Sequence, residues 1–288
     1  MSPTEQPLPA SDWQPPSEHL YQDGDLWRAD MTSPISYPEA GNDICYQVED
    51  GSYWFEHRMN CILEVVRQFP TTGTLYDIGG GNGYVACAMQ SHGMDVVLIE
   101  PGSGAINARA RGVRNIIHST LEDARFQRHS LDAAGAFDVL EHIEEDIAFL
   151  SRIRDHLKPG GRFFCTVPSL PILWSNEDAR AGHFRRYTRK SLARHLTEAG
   201  FIVEFTSYFF SWLTLPIWLA RSLPSHLGLS DKSKLGSETA VKSDHHLPRA
   251  LMKPISANHA WELSKLRRLH PIPFGTSLLC VAKTHPFS

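Results

Sequence analysis

A glycine-rich segment in the first third of the chain constrains the fold more than any other feature. The segment TLYDIGGGNGYVA, residues 74–86, places an apolar run before glycines at 79, 81 and 83 and a helix-like stretch after them. Glycine lacks a Cβ atom, so the backbone can turn tightly and approach a ligand closely. The free N–H groups at the start of the following helix attract an anionic group. This order predicts an α/β sheet with its ligand at the carboxyl ends of the strands.

Short apolar runs alternate with amphipathic stretches over most of the chain. Apolar strands separated by such helices predict a mostly parallel sheet that is covered on both faces. We therefore predict an open, doubly wound α/β fold with seven strands. The predicted strands are residues 74–78, 95–99, 113–117, 133–138, 162–167, 202–209 and 277–282. The predicted helices are residues 53–69, 84–91, 105–111, 144–157 and 191–199.

Composition divides the chain into four segments. Residues 1–52 are predicted to be an extended N-terminal arm and residues 53–209 the cofactor-binding core, which residues 274–288 complete with its last strand. Residues 210–273 are an insertion whose first part is apolar and aromatic and whose polar middle is predicted to be flexible. We expect this insertion to act as a lid over the site or to bind the molecule on which the protein acts. Pro216 and Arg221 interrupt its apolar run too early for a transmembrane helix. We favour a helical lid over a membrane-surface contact through residues 205–228.

Charge and cysteine content exclude several classes of protein. The chain has 28 Lys and Arg against 32 Asp and Glu, and a net charge of −4 disfavours a dedicated nucleic-acid binder. The five cysteines include no C-x-x-C spacing, so neither a disulfide framework nor a zinc site is predicted. The N-terminal residues lack the apolar region of a signal peptide. We expect a cytoplasmic protein and leave a peripheral membrane contact open.

Two cofactors compete for the glycine turn. A dinucleotide site favours the spacing G-x-G-x-x-G, but Tyr84 occupies the third glycine position when the count starts at Gly79. Its bulky side chain would hinder the helix–strand packing that a glycine permits there. Glu100, at the end of the next strand, suits the ribose hydroxyls of either cofactor. The turn alone therefore disfavours NAD without identifying the cofactor.

Four motifs in order carry a resemblance to a known family. They are D-I-G-G-G-N-G, the acid in VVLIEP, FDVLEHIEED and LKPGGRFFCTVPS. Together they resemble the class I S-adenosylmethionine-dependent methyltransferases, in the small-molecule group that includes ubiquinone-type O-methyltransferases. The resemblance covers roughly residues 53–209 and the last strand. It implies a Rossmann-like methyltransferase fold, an N-terminal helical cap and S-adenosylmethionine as the cofactor.

The resemblance also assigns cofactor contacts to positions of this sequence. Asp77 and Gly79 would contact the methionine part, with Gly81 close by. Glu100 would hold the ribose hydroxyls, and Pro101 would lie near the adenine. Because the sulfonium group of the cofactor is already activated, the protein mainly has to align the reactants and to supply a favourable electrostatic environment.

Further cofactor contacts follow from the same resemblance. The positions that match the adenine edge and the strand end beneath the methyl donor are Leu121, Glu122, Asp138, Val139 and Leu140. Arg58, in the helical cap that this group commonly has, would pair with the methionine carboxylate. An exposed arginine on an apolar helix is the alternative interpretation.

His142 is the candidate catalytic base. It follows the strand that carries Asp138, and an imidazole takes a proton from a hydroxyl near neutral pH. That His142 instead packs against or caps the next helix is an equally good interpretation. Some relatives with an E-x-x-E-H run bind a divalent cation there, and Asp138, Glu141 and His142 lie similarly in this sequence. We nevertheless predict no metal ion.

A basic cluster follows in the segment GHFRRYTRKSL, residues 182–192. The candidate substrate-binding residues are His183, Arg185, Arg186 and Tyr187. Guanidinium groups bind carboxylate or phosphate with two hydrogen bonds, whereas cations at a helix N-terminus oppose its dipole. We therefore predict an anionic acceptor rather than a solvated helix start. The resemblance loosely associates similar H-x-R-R-Y runs with glycan- or lipid-linked acceptors.

These observations predict a methyltransferase that uses S-adenosylmethionine. The acceptor atom is oxygen, with nitrogen less favoured, in a small-molecule or lipid- or glycan-linked acceptor, and no nucleic-acid partner is expected. Three alternatives stay open: an NAD-dependent oxidoreductase, a nucleic-acid methyltransferase and a non-catalytic protein that binds the cofactor. An N-P-P-Y-like run, which would favour nucleic acid, is replaced by DVLEH after the fourth strand.

Overall fold

The structure is a computed structural model that describes residues 13–35, 39–228 and 249–286. Its strands, numbered along the chain, are β1 (Tyr21–Asp23), β2 (Leu26–Arg28), β3 (Leu75–Ile78), β4 (Val96–Ile99), β5 (Asn115–His118), β6 (Leu131–Phe137), β7 (Leu157–Pro168), β8 (Ile202–Phe209) and β9 (Ser277–Lys283). They form one sheet in the order β1-β2-β5-β4-β3-β6-β7-β9-β8. The five pairings from β2 to β7 are parallel, and the others are antiparallel.

Helices connect these strands and lie on both faces of the sheet. They are α1 (Glu39–Glu49), α2 (Tyr53–Gln68), α3 (Tyr84–Ser91), α4 (Gly104–Arg111), α5 (Leu121–Ala124), α6 (Asp146–His156), α7 (Asn176–Arg180), α8 (Arg189–Glu198), α9 (Thr214–Ile217), α10 (Leu223–His226) and α11 (Arg249–Arg267). Short 3₁₀ turns cover Leu140–His142, Pro171–Leu173 and Ser211–Leu213, and a π turn covers Trp218–Ser222.

The central strands alternate their side chains between two buried cores. On β3, Leu75 packs in the core that α2, α3 and α4 cover, whereas Tyr76 packs in the core that α6 and α8 cover. On β4, Leu98 and Ile99 divide between the same two cores. Because both faces are covered, every residue of β3 and β4 is buried. The predicted doubly wound, mostly parallel α/β fold is confirmed.

The sheet has nine strands instead of the predicted seven, because part of the N-terminal arm joins it. Strands β1 and β2 form an antiparallel hairpin, and β2 adds parallel to β5 through Trp27 and Arg28. Helix α1 also lies in the segment predicted to be extended. Each hairpin strand has three residues and β1 is exposed throughout, so neither shows the apolar alternation from which a strand is predicted.

The described parts of the insertion are helical. Residues 211–226, which we call the lid segment, form a run of short helical turns after β8, and α11 packs against α2. The polar middle that was predicted to be flexible falls largely in residues 229–248, outside the described residues. No described helix combines the length and the apolar character that crossing a bilayer requires.

A buried glutamate fixes the start of the lid segment. The carboxylate of Glu262, on α11, accepts hydrogen bonds from the backbone N–H groups of Phe210 and Ser211 at 3.0 and 2.7 Å. It also bonds Nε2 of His57, on α2, at 2.7 Å. Phe210 itself has a positive φ of 56°. One carboxylate therefore ties together α2, α11 and the turn that leads into the lid segment.

Only part of residues 205–228 could form the predicted membrane contact. Phe205 and Phe209 lie in β8 and are buried, so they are not available to a membrane. The apolar side chains that are exposed in this range are Leu215, Leu219 and Leu227. A contact of this kind is therefore confined to the lid segment and the residue that follows it, and it stays a prediction.

Candidate active site

A cavity of about 1280 Å³ opens at the carboxyl ends of β3, β4 and β6. The glycine turn after β3, the residues that follow β4 and the turn after β6 form its floor, and α1, α2 and the lid segment form its walls. Ligands of doubly wound sheets bind at this edge, because loops from neighbouring parallel strands separate there. The candidate residues that line the cavity are Arg58, Asp77, Gly79, Gly81, Glu100, Pro101, Leu121, Glu122, Asp138, Val139, His142, His183 and Arg186.

Two positions of the glycine turn have no room for a side chain. Gly79 has a φ of 69°, and a Cβ atom there would lie 3.0 Å from Cγ2 of Val139. Gly83 has a φ of 71°, and a Cβ atom there would lie 2.7 Å from Cβ of Ala108. The left-handed backbone and the lack of space both favour glycine. The turn therefore needs glycine at both positions, and its backbone at Gly79 lines the cavity.

Asp77 is a buried carboxyl group without a hydrogen-bond partner among the described residues. Its side chain is 0% exposed, and both carboxyl oxygens lack a partner. Burial raises its pKa to about 7, the positive charge of Arg58 lowers it, and the negative charge of Glu100 raises it further. Buried polar atoms are normally satisfied, so two open oxygens at a cavity indicate a ligand that donates hydrogen bonds.

Glu100 follows β4 and already bonds the glycine turn. Its Oε2 accepts a hydrogen bond from the N–H of Gly81 at 3.0 Å, and its Oε1 accepts one from the N–H of Gly102 at 2.9 Å. Nδ2 of Asn42, on α1, donates to the same Oε1 at 3.4 Å. Burial raises the pKa of Glu100, and these hydrogen bonds act against that rise.

Helix α1 brings residues to the cavity that the sequence did not indicate. Asn42 reaches Glu100, and Nδ2 of Asn82 donates to the backbone oxygen of Asn42 at 2.8 Å and to Oε1 of Glu49 at 3.1 Å. Asn42, Glu49 and Asn82 all line the cavity. Asn82 lies in the glycine motif, but the two residues on α1 are brought close only by the tertiary fold.

Arg58 lies on the cavity wall and is paired within the protein. Its Nε donates to Oδ2 of Asp138 at 2.5 Å, and its Nη2 donates to the backbone oxygen of Phe137 at 2.9 Å. Asp138 has a positive φ of 60° and also accepts a hydrogen bond from Thr166. The expected partner of Arg58 is the methionine carboxylate of the cofactor. In the structure, its Nε and Nη2 instead form hydrogen bonds with residues at the end of β6. Backbone strain of this kind in a non-glycine residue is typical of functional sites.

The remaining cofactor candidates divide between the cavity and the core. Pro101, Leu121 and Glu122 lie on the wall beyond Glu100, where Glu122 forms an ion pair with Arg152. Val139 lines the cavity, and its side chain takes the space that a Cβ atom at position 79 would need. Leu140 is fully buried in the core and does not line the cavity, so its predicted cofactor contact is not supported.

Two histidines meet on the acceptor side of the cavity. The rings of His142 and His183 lie 4.7 Å apart at an angle of 77°. Burial and the nearby His183 together lower the pKa of His142 to about 4. Glu141 lines the same wall, is 1% exposed, and its Oε2 has no hydrogen-bond partner among the described residues. Burial raises the pKa of Glu141 well above its usual value, and the charge of Asp138 adds to this.

The predicted basic cluster separates into two pairs. His183 and Arg186 face the cavity and share Asp178, which the sequence analysis did not single out. Arg185 and Tyr187 do not line the cavity: Nη1 of Arg185 bonds Asp146 at 2.9 Å, and the hydroxyl of Tyr187 donates to Asp146 at 2.6 Å. Burial and this hydrogen bond raise the pKa of the tyrosine. Both therefore stabilise the loop from behind the cavity, and their binding of substrate stays a prediction.

The cavity fits a positively charged nucleoside cofactor. The open carboxyl oxygens of Asp77, the exposed backbone of the glycine turn and the carboxylate of Glu100 lie side by side along one wall. They supply acceptors for an amino group and for ribose hydroxyls. A second cluster, His57, Cys61 and Glu262, has donor atoms close enough for a metal ion. However, His57 and Glu262 already bond each other there, and we interpret this cluster as structural.

The fold and the cavity define a nucleotide-cofactor enzyme, and comparison with known proteins specifies which one. The chain is an S-adenosylmethionine-dependent methyltransferase. A family model described as a methyltransferase domain matches residues 55–204, just over half of the chain, so the protein belongs to this family. The suspected resemblance and the expected cofactor are confirmed.

Curated relatives agree at low identity. A probable S-adenosylmethionine-dependent methyltransferase of Mycolicibacterium smegmatis is 27% identical over 183 residues, which are 62% of this chain and 70% of the relative. A ubiquinone biosynthesis O-methyltransferase of Rickettsia felis is 28% identical over 127 residues, 39% of this chain and 52% of that enzyme. A protein of the same description from Acinetobacter baumannii is 26% identical over 169 residues, 51% of this chain and 71% of that enzyme.

Solved structures show the same fold. A putative methyltransferase of Haloferax volcanii, in complex with the activator Trm112, matches with a TM-score of 0.54 and 15% identity over 87% of this chain and 98% of that one. Phosphoethanolamine N-methyltransferase 2 of Haemonchus contortus, in complex with S-adenosyl-L-methionine, matches with a TM-score of 0.52 and 15% identity over 87% of this chain and 58% of that one. At this identity the likeness shows the fold alone.

Proposed function

We propose that this methyltransferase transfers a methyl group to an oxygen atom of an anionic acceptor, either a small molecule or a lipid- or glycan-linked one. The observation that carries the proposal is the second half of the cavity. Beyond the cofactor residues, its wall holds His142, His183 and Arg186. The two imidazoles and Arg186, which is paired with Asp178, favour an acceptor with a negative charge and a proton to release.

The cofactor end of the cavity is assigned to residues on β3, β4 and the turns that follow them. Asp77 and the backbone of the glycine turn would hold the methionine part, and Glu100 would hold the ribose hydroxyls. Pro101, Leu121 and Glu122 would border the adenine, and Val139 would lie beneath the reactive end. When bound, the cofactor supplies a methyl group on a positively charged sulfur. Arg58 and Asp138, paired with each other, keep the end of β6 rigid beneath it.

The acceptor end has an apolar side as well as a basic one. Leu213, Ile217 and Ala220 of the lid segment line the same cavity as His183 and Arg186. The whole cavity, at about 1280 Å³, exceeds the volume of roughly 300–1,000 Å³ that is usual for a single ligand. There is thus space for a second molecule that combines an apolar body with an anionic group, as a lipid-linked acceptor does.

Oxygen is favoured over nitrogen for two reasons. A neutral hydroxyl group must lose its proton during transfer, and two histidines stand where a base is needed. Relatives described as ubiquinone biosynthesis O-methyltransferases support the same choice, although they match at 26–28% identity. Transfer to nitrogen is the second candidate.

Two experiments test the proposal. Calorimetry should detect binding of S-adenosylmethionine and S-adenosylhomocysteine and no binding of NAD. Incubation with methyl-labelled S-adenosylmethionine and cell extract, followed by partition into lipid, small-molecule and nucleic-acid fractions, should then place the label in the lipid or small-molecule fraction. Release of the label as methyl iodide in hot hydriodic acid, under conditions that leave N-methyl groups intact, would indicate an O-methyl product. Label confined to nucleic acid or protein would contradict the proposal.

A further inference from the structure

We infer that His183, and not His142, accepts the proton of the acceptor hydroxyl, and that Asp178 is the positioning residue that orients His183 for this task. The inference rests on the proposed transfer to oxygen. It concerns which of two adjacent imidazoles is the base, and it adds a carboxylate that the sequence motifs did not reveal.

Asp178 is a buried carboxylate at the centre of four hydrogen bonds. It is 2% exposed, and its Oδ1 bonds Nδ1 of His183 at 3.0 Å and Nε of Arg186 at 2.8 Å. Its Oδ2 accepts hydrogen bonds from the backbone N–H and the hydroxyl of Ser175, at 2.9 and 3.3 Å, which complete the capping box of α7. Burial acts to raise the pKa of Asp178, but the bonds from His183 and Arg186 outweigh it and hold the pKa below its ordinary value. Asp178 is therefore ionised and fixed.

An ionised carboxylate determines which nitrogen of His183 carries hydrogen. Because the carboxylate can only accept, Nδ1 must be the donor, and in the neutral ring Nε2 then keeps its lone pair. The ring lines the cavity, and its side chain is 16% exposed. Nε2, on the opposite edge of the ring, is thus the nitrogen available to a hydroxyl. When it takes the proton, the resulting imidazolium lies beside a negative charge that stabilises it.

His142 is less suited to the same role. Backbone groups of Ala181 and Gly182 lie within hydrogen-bonding range of its ring, whereas the ring of His183 bonds an ionised carboxylate directly. Burial holds its pKa near 4, so proton transfer to it from a hydroxyl would be more uphill than to an ordinary imidazole. The rings of His142 and His183 lie 4.7 Å apart, so a positive charge on one imidazole would repel a positive charge on the other.

The proton transfer balances without another reactant. The proton of the acceptor hydroxyl moves to Nε2 of His183, and the electron pair of the O–H bond stays on oxygen to form the new O–CH₃ bond. The electron pair of the broken C–S bond stays on the sulfur of the neutral product. The charged groups that face His183 are Asp178 and Arg186 from its own side, with Glu141 and His142 from the turn after β6. Of these, Asp178 alone forms a direct hydrogen bond with the ring among the contacts described.

Nitrogen NMR of the full chain tests the orientation without any acceptor. With ¹⁵N-labelled histidine, S-adenosylhomocysteine and EDTA present, the signal of His183, assigned by its loss in His183→Gln, should show hydrogen on Nδ1. In Asp178→Asn the tautomers should mix, because the amide no longer requires hydrogen on Nδ1. Ser175→Ala, which removes a capping bond but keeps the Asp178–His183 contact, should leave the His183 signal in place. Hydrogen on Nε2 in the unmodified protein would overturn the inference.

Transfer of labelled methyl groups tests the chemistry. With the labelled extract fraction as acceptor, His183→Gln should lower kcat by about 10²–10⁴-fold with little change in cofactor affinity, whereas His142→Gln should lower it less than tenfold. In Asp178→Asn the rising limb of kcat/KM should shift to lower pH, because the imidazolium loses its negative neighbour. Cofactor affinity, measured by calorimetry, shows whether each variant is folded.

The outcomes separate this inference from the proposed function. If the unmodified protein labels neither lipid nor small molecules, the proposed function fails. If it labels them and His142→Gln abolishes transfer while His183→Gln retains it, the proposed function stands and the assignment of the base is overturned. If His183→Gln does not fold, His183→Asn replaces it, and its methyl transfer is compared with that of His142→Gln in the same way.

Discussion

A fully buried carboxyl group without a hydrogen-bond partner costs free energy in the cofactor-free protein. Within the part of the chain that the structure describes, Asp77 is such a group, and the cost changes with pH because burial raises its pKa from 3.8 to about 7. Between these values the folded protein holds a proton that the unfolded chain has released, so raising the pH destabilises the fold. At 1.36 kcal/mol per unit the difference is on the order of 4 kcal/mol above pH 7.

Asp77→Asn should therefore separate stability from binding. Without cofactor, its free energy of unfolding should exceed that of the unmodified protein at pH 8, and the gap should close towards pH 4, where the carboxyl is neutral. Its affinity for S-adenosylmethionine should fall at least tenfold, because a carboxylate no longer faces the positively charged cofactor. Urea denaturation and calorimetry measure the two effects. Asp50→Asn, at an exposed carboxylate, is the control, and an identical pH dependence in all three proteins would contradict the argument.

Residues of the site were predictable where a local motif carries them. Asp77, Gly79 and Glu100 stand at the ends of two consecutive apolar strands, and that position alone places them at one edge of a parallel sheet. Asn42 and Asp178 were not predictable in the same way. Asn42 reaches Glu100 across 58 residues of sequence, and Asp178 looks like an ordinary acidic residue in the first turn of a short helix. Leu140 was assigned by its proximity to Asp138, but a turn directs it into the core.

The bounds of a helix or strand were predictable where its own sequence carries an apolar run or a glycine boundary. The helix at residues 84–91 and the strand at residues 202–209 have the predicted bounds, because a glycine turn or a clear apolar run delimits them. The hairpin at residues 21–28 depends on a neighbouring strand for its pairing, and its own sequence carries no such pattern. Strand β7 begins at Leu157, five residues before the predicted start, because the Pro-Gly-Gly segment was taken only as a helix stop.

The junction of α2, α11 and the lid segment depends on the carboxylate of Glu262. Glu262→Gln keeps the shape of the side chain but removes the charge that pairs with His57 and accepts from Phe210 and Ser211. Breaking a buried pair of this kind should lower the free energy of unfolding by about 3 kcal/mol and increase proteolytic cleavage within residues 211–226.

A matched control lies on the same two helices. Glu64, on α2, pairs with Arg267, on α11, where the arginine side chain is 62% exposed. Glu64→Gln should change stability by less than about 1 kcal/mol and leave the cleavage pattern intact. Equal effects of the two substitutions, measured by urea denaturation and limited proteolysis, would show that the buried carboxylate does not anchor the lid segment.

At the level of the whole molecule, the cavity extends from the residues proposed to bind the cofactor, on the sheet, to the proposed acceptor end, which the lid segment lines. Ala220 lines the acceptor end, whereas Leu219 next to it is 50% exposed and does not line the cavity. The two neighbouring positions thus distinguish the inside of the lid segment from its outside.

Ala220→Trp should block the acceptor and spare the cofactor. The larger side chain fills space in the acceptor end, so KM for the acceptor should rise tenfold or more while the Kd for S-adenosylmethionine stays within about twofold, since one misfitting group in a pocket costs roughly 1–3 kcal/mol. Leu219→Trp, which projects outward, should change neither value. Methyl transfer to the labelled extract fraction and calorimetry provide the measurements. An equal loss in both variants, or loss of cofactor binding in Ala220→Trp, would contradict this division of the cavity.

The position of β9 between β7 and β8 has a consequence for biosynthesis. A ribosome delivers the chain from its N-terminus, so β7 and β8 emerge long before Ser277 and the strand that pairs with both. Until then, the outer edge of β7 is open and β8 lacks the neighbour that holds it in the sheet, which leaves two apolar strand edges exposed to other chains. The parallel half of the sheet can assemble during translation, but the lid segment that follows β8 acquires its anchor only when Glu262 has been synthesised. Early release of the nascent chain would therefore yield an aggregation-prone product with its nucleotide-binding half already in place.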